Sequence, residues 1–321
     1  FVYYIVATLV PIDKIIGRIY PYLGAVLLFM AAGIGIALIV KGGAGSITLT
    51  ELTPATLKNW HSNPEKNILF PMLFIVISCG AISGFHSTQS PIMSRCLPNE
   101  KYGRPVFYGA MICEGIVAAI WATAAMAYTG GPEGLNQAAA AGQTPAILVN
   151  SICNDWLGKV GGILAILGVV ACPITSGDTA FRSLRLIIAD AIHVSQKPIL
   201  NRICIALPIF ILAVLVCTFD FSTIWNYVGI SNQVLASVVL WTAARYLYKH
   251  GKSPVYTAIP ATFLSYVCVC YFMVAPVKAG GLSLPIVWGH AIAAIATCAI
   301  IVLFALGNKK IRVRGTSMLK A

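Results

Sequence analysis

Acidic side chains are almost missing from this chain: Asp and Glu supply 10 of its 321 residues. Charged residues of both signs make up 10%, against roughly 25% in an ordinary soluble domain. The shortage runs from end to end, which excludes a water-soluble globule. The 10 cysteines form no CxxC pair and no Cys/His set at zinc spacing. Most of them (Cys79, Cys113, Cys172, Cys204, Cys217, Cys268, Cys270 and Cys298) stand in apolar runs and read as small buried hydrophobes. HExxH, GxSxG and an obvious carboxylate pair are also lacking, which argues against an intramembrane enzyme. There is no low-complexity tail, no short repeat and no stretch with the composition of a separate soluble domain. The net charge of +12 points to nucleic acid only if the 58% hydrophobic content is ignored. A nucleic-acid partner is therefore not expected, and neither a bound metal nor an organic cofactor is called for.

What is present is a series of long apolar runs, at about 20–40, 68–92, 105–128, 157–177, 199–219, 222–244, 254–275 and 284–306. Each approaches the roughly 20 residues a helix needs to cross a bilayer. A transmembrane barrel would instead alternate in segments of about ten residues. The expected fold is all-α, a polytopic membrane helical bundle of about eight or nine transmembrane helices, some of them discontinuous. Residues 1–12 read as the tail of a further helix, cut from a longer chain, since Phe1 to Val10 carry no initiator Met and no basic region. The expected division is a transmembrane domain over 1–307 and a basic cytoplasmic tail over 308–321.

Lysine and arginine alternate from loop to loop. One set of loops and the C-terminus holds 17 of the 22 bases, from Lys14 and Arg18 through Arg95, Arg104, Arg182 and Arg245 to Lys320. The opposite set holds five: Lys41, Lys58, Lys66, Lys159 and Lys278. The positive-inside rule makes the first set and the C-terminus cytoplasmic. Two outer loops, 41–67 and 129–156, are long enough for short helices on the surface or over an entrance.

Three polar interruptions stand out. Gly84-Phe85-His86-Ser87-Thr88-Gln89-Ser90-Pro91 follows an apolar run that begins at Ile68. Gly80, Ser83, Gly84 and Pro91 suit a helix that unwinds and continues. A polar cluster there lines a wet site, or its hydroxyls cap a helix end at the inner boundary. Cys172 to Thr179 pairs Pro173 and Gly177 around Thr175 and Ser176, with Asp178 placed to cap a following helix and to pair with Arg182. A broken helix there would free carbonyls for a cation; a plain helix end is the other reading. Trp225 to Gln233 carries Asn226, Asn232 and Gln233 into the membrane, as interhelical glue or as substrate contacts. Glu114 falls near mid-membrane, where burial would make it a proton carrier or a structural hydrogen-bonding acid.

Phe85 to Arg95 (FHSTQSPIMSR), Gly103 to Gly115 (GRPVFYGAMICEG) and Cys172 to Arg185 (CPITSGDTAFRSLR) resemble signature blocks of the carbon starvation protein A family. Pro11 to Pro21 (PIDKIIGRIYP) resembles a further block. The resemblance covers most of residues 1–300. It implies bacterial inner-membrane transporters induced on nutrient limitation, handling peptides or pyruvate, with proton coupling in the pyruvate members. It also implies kinship with the amino acid–polyamine–cation superfamily, which uses inverted repeats and broken helices. The family's early membrane segments are expected to precede Phe1, and in related transporters an early broken helix supplies half of the site.

The resulting expectation is secondary active uptake of a small organic nutrient, pyruvate or short peptides, coupled to H⁺ or alternatively Na⁺. Candidate substrate or coupling-ion contacts are His86, Ser87, Thr88, Gln89, Thr175, Ser176, Asp178 and Asn226, with Glu114 as proton carrier. A nutrient sensor that binds the same ligands without moving them is the alternative. The lipid bilayer is the evident partner, and no residue pattern sets an oligomeric state.

Overall fold

The computed structural model describes Tyr4 and residues 20–51, 53, 54, 56, 58–61, 64, 65 and 68–318; at 78, 79, 81, 165, 166, 169–173, 221, 222 and 309–318 it describes the backbone alone. The expected stub at 1–12 and the basic pair Lys14 and Arg18 lie outside the described residues, Tyr4 excepted. The described residues form ten α-helices: α1 (Tyr20–Gly43), α2 (Leu69–Ala81), α3 (Gly84–Cys96), α4 (Ala110–Thr129), α5 (Pro132–Ala140), α6 (Pro145–Ala191), α7 (Ile199–Val216), α8 (Phe221–Lys249), α9 (Val255–Val274) and α10 (Ile286–Met318). A π-helical turn, Arg104–Gly109, leads into α4.

Six helical segments are long and apolar enough to cross a membrane: Tyr20–Gly43, Glu100–Thr129, Ile199–Val216, Thr223–Lys249, Val255–Val274 and Ile286–Asn308. Their surfaces agree with that reading. Phe29, Ile39, Leu212 and Ile295 are each more than 60% exposed, a pattern that suits lipid and not water. Cys113, Cys204, Cys217 and Cys298 are exposed, while Cys268 and Cys270 are buried. The reading of the cysteines in apolar runs as small buried hydrophobes holds for Cys268 and Cys270 and is corrected for those four, because a side chain in an apolar run can face lipid as well as protein.

The two other expected spans are the interrupted ones. The run at 68–92 becomes α2 and α3, separated by non-helical Ile82 and Ser83. The polar run itself is helical, with Pro91 inside α3. The run at 157–177 belongs to the 47-residue α6. No break occurs at Pro173 to Gly177; the backbone is helical throughout that stretch. The interruption lies earlier, at Gly158, with φ +67° and ψ −160°. That conformation is closed to residues with a Cβ, so glycine locates the kink. Of the two long outer loops, the second holds α5 and the start of α6. The first is tied to it by the Asn136 side chain, which donates to the Trp60 carbonyl.

The chain divides into two compact units, Phe1–Ser62 with Gln89–Leu215, and Asn63–Thr88 with Val216–Ala321. In the first unit α1 packs on α4 and α6. Met30, Ile34 and Leu38, spaced by four on one face of α1, meet Ala124, Ala127, Ile152 and Cys153. In the second unit α9 is the central helix, packed by α2, α8 and α10. Its Val267, Cys268 and Tyr271 bury against Ile75 of α2 and Ile230 of α8.

Candidate functional site

The second unit contains the helix break. Where α2 stops and α3 starts, backbone amides lose their intrahelical partners and need others. Asn232, half-buried on α8, supplies them. Its Oδ1 accepts the Phe85 amide at 2.7 Å and the Ser83 hydroxyl at 3.1 Å, and its Nδ2 donates to Ser83 Oγ at 2.8 Å. Ser83 Oγ also accepts the Phe85 amide at 3.2 Å, and the His86 amide reaches the Ser83 carbonyl at 3.2 Å. The next residue, Gln233, is fully buried and donates to the Ile75 carbonyl of α2 at 3.4 Å. Gly84 permits this clasp by having no side chain. A Cβ there would collide with the Asn232 carbonyl and sit 2.8 Å from Leu235 Cβ and 3.0 Å from the Ala236 nitrogen.

The expected polar run begins beside this clasp. His86, Ser87, Thr88 and Gln89 are all partly buried on the first turns of α3. Ser87 Oγ donates to the Gly84 carbonyl at 2.5 Å and Thr88 Oγ1 to the Phe85 carbonyl at 2.8 Å. The two hydroxyls therefore cap backbone, while retaining oxygen lone pairs for further contacts. Asn226 is partly buried, two turns earlier than Asn232 on an unbroken α8. The amide that holds the break is Asn232, which a single-chain pattern marks only as membrane polar glue.

The first unit contains a different cluster. Asp178 and Arg182 are buried and pair at 3.2 Å, one helical turn apart on α6. Tyr20, at the start of α1, donates to Asp178 Oδ2 at 2.9 Å and approaches the Thr175 carbonyl at 3.3 Å. Arg185, one turn further along the helix face, is buried as well. The expected Asp178–Arg182 pair is present; the expected capping role of Asp178 is not, because no helix begins there. Nor are the Thr175 and Ser176 carbonyls freed, since both accept Thr179 Oγ1 at 3.0 Å. Thr175 and Ser176 are partly buried. Glu114 lies on an exposed face of α4, so it does not share the buried environment of Asp178.

A protein-family model described as "Carbon starvation protein CstA" matches residues 1–161 and 131–271. The chain belongs to the CstA family. It is 44% identical over 152 residues to an uncharacterized membrane protein of Haemophilus influenzae, covering 44% of this chain and 41% of that one. It is 27% identical over 271 residues to the peptide transporter CstA of Escherichia coli K12, covering 63% of this chain and 38% of the relative. A shorter match, 50% over 54 residues, links it to the pyruvate/proton symporter BtsT of the same organism, covering 16% of this chain and 8% of the relative. The chain thus spans about two fifths of the length of the CstA peptide transporters it matches. The named relatives are transporters, not enzymes. No solved structure matches the chain.

Proposed function

We propose that the full-length protein is a secondary active transporter of the bacterial inner membrane, taking up pyruvate or short peptides during nutrient starvation and driven by protons. Membership of the CstA family and relatives named as a peptide transporter and a pyruvate/proton symporter support this reading. The observation that carries it is the interrupted helix at Ile82 and Ser83, clasped by Asn232, with a polar run on its downstream half. Such breaks put polar backbone and side chains into the membrane without exposing them to lipid.

In this reading His86 and Gln89 offer N–H donors to a substrate carboxylate or peptide carbonyl. Ser87 and Thr88 turn their hydroxyls from the backbone toward the same ligand. Asn226 flanks the ligand from α8. Protons are preferred to Na⁺ because the Thr175 and Ser176 carbonyls remain engaged within α6. Asp178, with Thr175 and Ser176 beside it, and Glu114 are assigned to the proton side of the cycle. The face with 17 bases is the cytoplasmic one, and it includes the C-terminus.

The test is uptake of labelled pyruvate and a labelled dipeptide into proteoliposomes that hold the full-length protein. Accumulation of one of them that requires a pH gradient, acid outside, is the expected result. Absence of gradient-dependent uptake of both would remove the proposal.

A further inference from the structure

Of the five histidines, His290 is the one inside a segment long and apolar enough to cross a membrane, Ile286–Asn308. It belongs to neither polar cluster described above. Its imidazole is partly buried one turn into α10, in the second unit. Tyr266 of α9 places its hydroxyl 2.7 Å from Nδ1, and Cys270, one turn along α9, has its sulfur 3.8 Å from the same nitrogen. Phe70, at the irregular first turn of α2, stacks on the ring at 5.5 Å and 22°. The Tyr266 ring lies at 6.0 Å and 27°. Tyr266 and Cys270 are the ionisable groups set against the imidazole; α2 contributes the apolar Phe70, and among the described residues no carboxylate or cation of α2, α8 or α9 contacts it.

We propose that His290 is a further carrier of the coupling proton, beside the acids assigned above, with Tyr266 as its hydrogen-bond partner and Phe70 as its contact with the broken helix. The proposal rests on the proton-driven reading above. Imidazole is the side chain that ordinarily gains and loses a proton near neutral pH. A neutral ring with its hydrogen on Nε2 accepts the Tyr266 hydroxyl at Nδ1. Adding a proton at Nδ1 reverses that bond, so that Nδ1–H donates to the Tyr266 oxygen and the phenol turns its own hydrogen away. The phenyl face of Phe70 favours the cation that results. One proton enters from water and the same number leaves to water; no other bond is made or broken. The reversal acts where α9 meets α10, and through Phe70 it acts on the first turn of α2. The other end of α2 is the break at Ile82 and Ser83. A proton at His290 and a ligand at the break therefore bias one and the same helix, which is what coupling requires.

The test uses the full-length protein in proteoliposomes and two readouts: gradient-driven accumulation of labelled pyruvate or dipeptide, and exchange of labelled for unlabelled substrate with no gradient. His290→Gln keeps a neutral hydrogen-bonding side chain and is expected to lower accumulation about tenfold, the ratio that one pH unit sustains for one proton per substrate. Exchange is expected to fall far less. Tyr266→Phe removes the hydroxyl that partners Nδ1, so driven accumulation is expected to fall as in His290→Gln while exchange falls far less. Accumulation by His290→Gln equal to wild type would overturn the proposal, and so would equal loss of exchange and accumulation, which marks a packing role. If the wild type neither exchanges nor accumulates, the transport reading itself falls and takes this one with it.

Discussion

Asn232 and Asp178 differ by one atom in the side chain and serve opposite architectures. Asn232 is neutral, half-buried and faces a broken helix, whose loose amide and hydroxyl it gathers. Asp178 is buried, paired with Arg182, and sits on a stretch of α6 that is helical throughout, well beyond the interruption at Gly158. The comparison shows two ways of keeping polarity inside packed helices. A backbone gap needs a group that both donates and accepts, which an amide does and a carboxylate does not. A buried charge needs a counter-charge held rigidly, which an unbroken turn provides at i and i+4.

The largest effect is expected on the ionic side. Asp178→Asn removes the carboxylate from the buried pair with Arg182, and breaking a buried pair costs about 3–5 kcal/mol. Thermal unfolding of the full-length protein in detergent measures it. Replacing both partners, Asp178→Leu with Arg182→Met, is expected to cost less than the single change. If the double variant is the less stable, the pair is not the reason for the loss.

The amide side is expected to respond by smaller steps. Gly84→Ala drives a methyl into the Asn232 carbonyl and Leu235, an overpacking cost of about 1–3 kcal/mol. Asn232→Ala takes both Asn232 bonds from the Ser83 hydroxyl and leaves the Phe85 amide with its longer bond to Ser83 Oγ, for about 1–3 kcal/mol. Ser83→Ala removes one neutral hydrogen-bonding group, for about 1 kcal/mol. Because Ser83 and Asn232 share their bonds, the double variant should cost less than the sum, and a double-mutant cycle on thermal unfolding reads this directly. Strict additivity would show that the clasp is not a unit.

How far these features could be read in advance follows from their range along the chain. The membrane spans were legible because length and apolarity alone set them. The Asp178–Arg182 pair was legible because helix geometry brings residues four apart together. Tyr20 was not, since 158 positions separate it from Asp178, and Asn232 lies 149 from Ser83. The break near Gly84 was expected from its glycines, though placed on the polar run and not before it. Pro173 misled because proline removes one amide without obliging a membrane helix to unwind. Gly158 gave no warning, since it stands at the border of an apolar run, where a glycine reads as loop. His290 offered no spacing or neighbour pattern, and only the folded chain sets Tyr266 and Phe70 against it.

The most direct test of the account compares the two clusters under substrate. In full-length protein with its native cysteines replaced, single cysteines are introduced as Thr88→Cys and Ser176→Cys, and labelling by a water-soluble thiol reagent is timed. The account predicts that pyruvate or the transported dipeptide slows labelling at position 88 by about tenfold at ten times its Kd. Position 176 should change little. Labelling at 88 that is indifferent to substrate, with protection at 176 instead, would contradict the claim that the broken helix bears the substrate site.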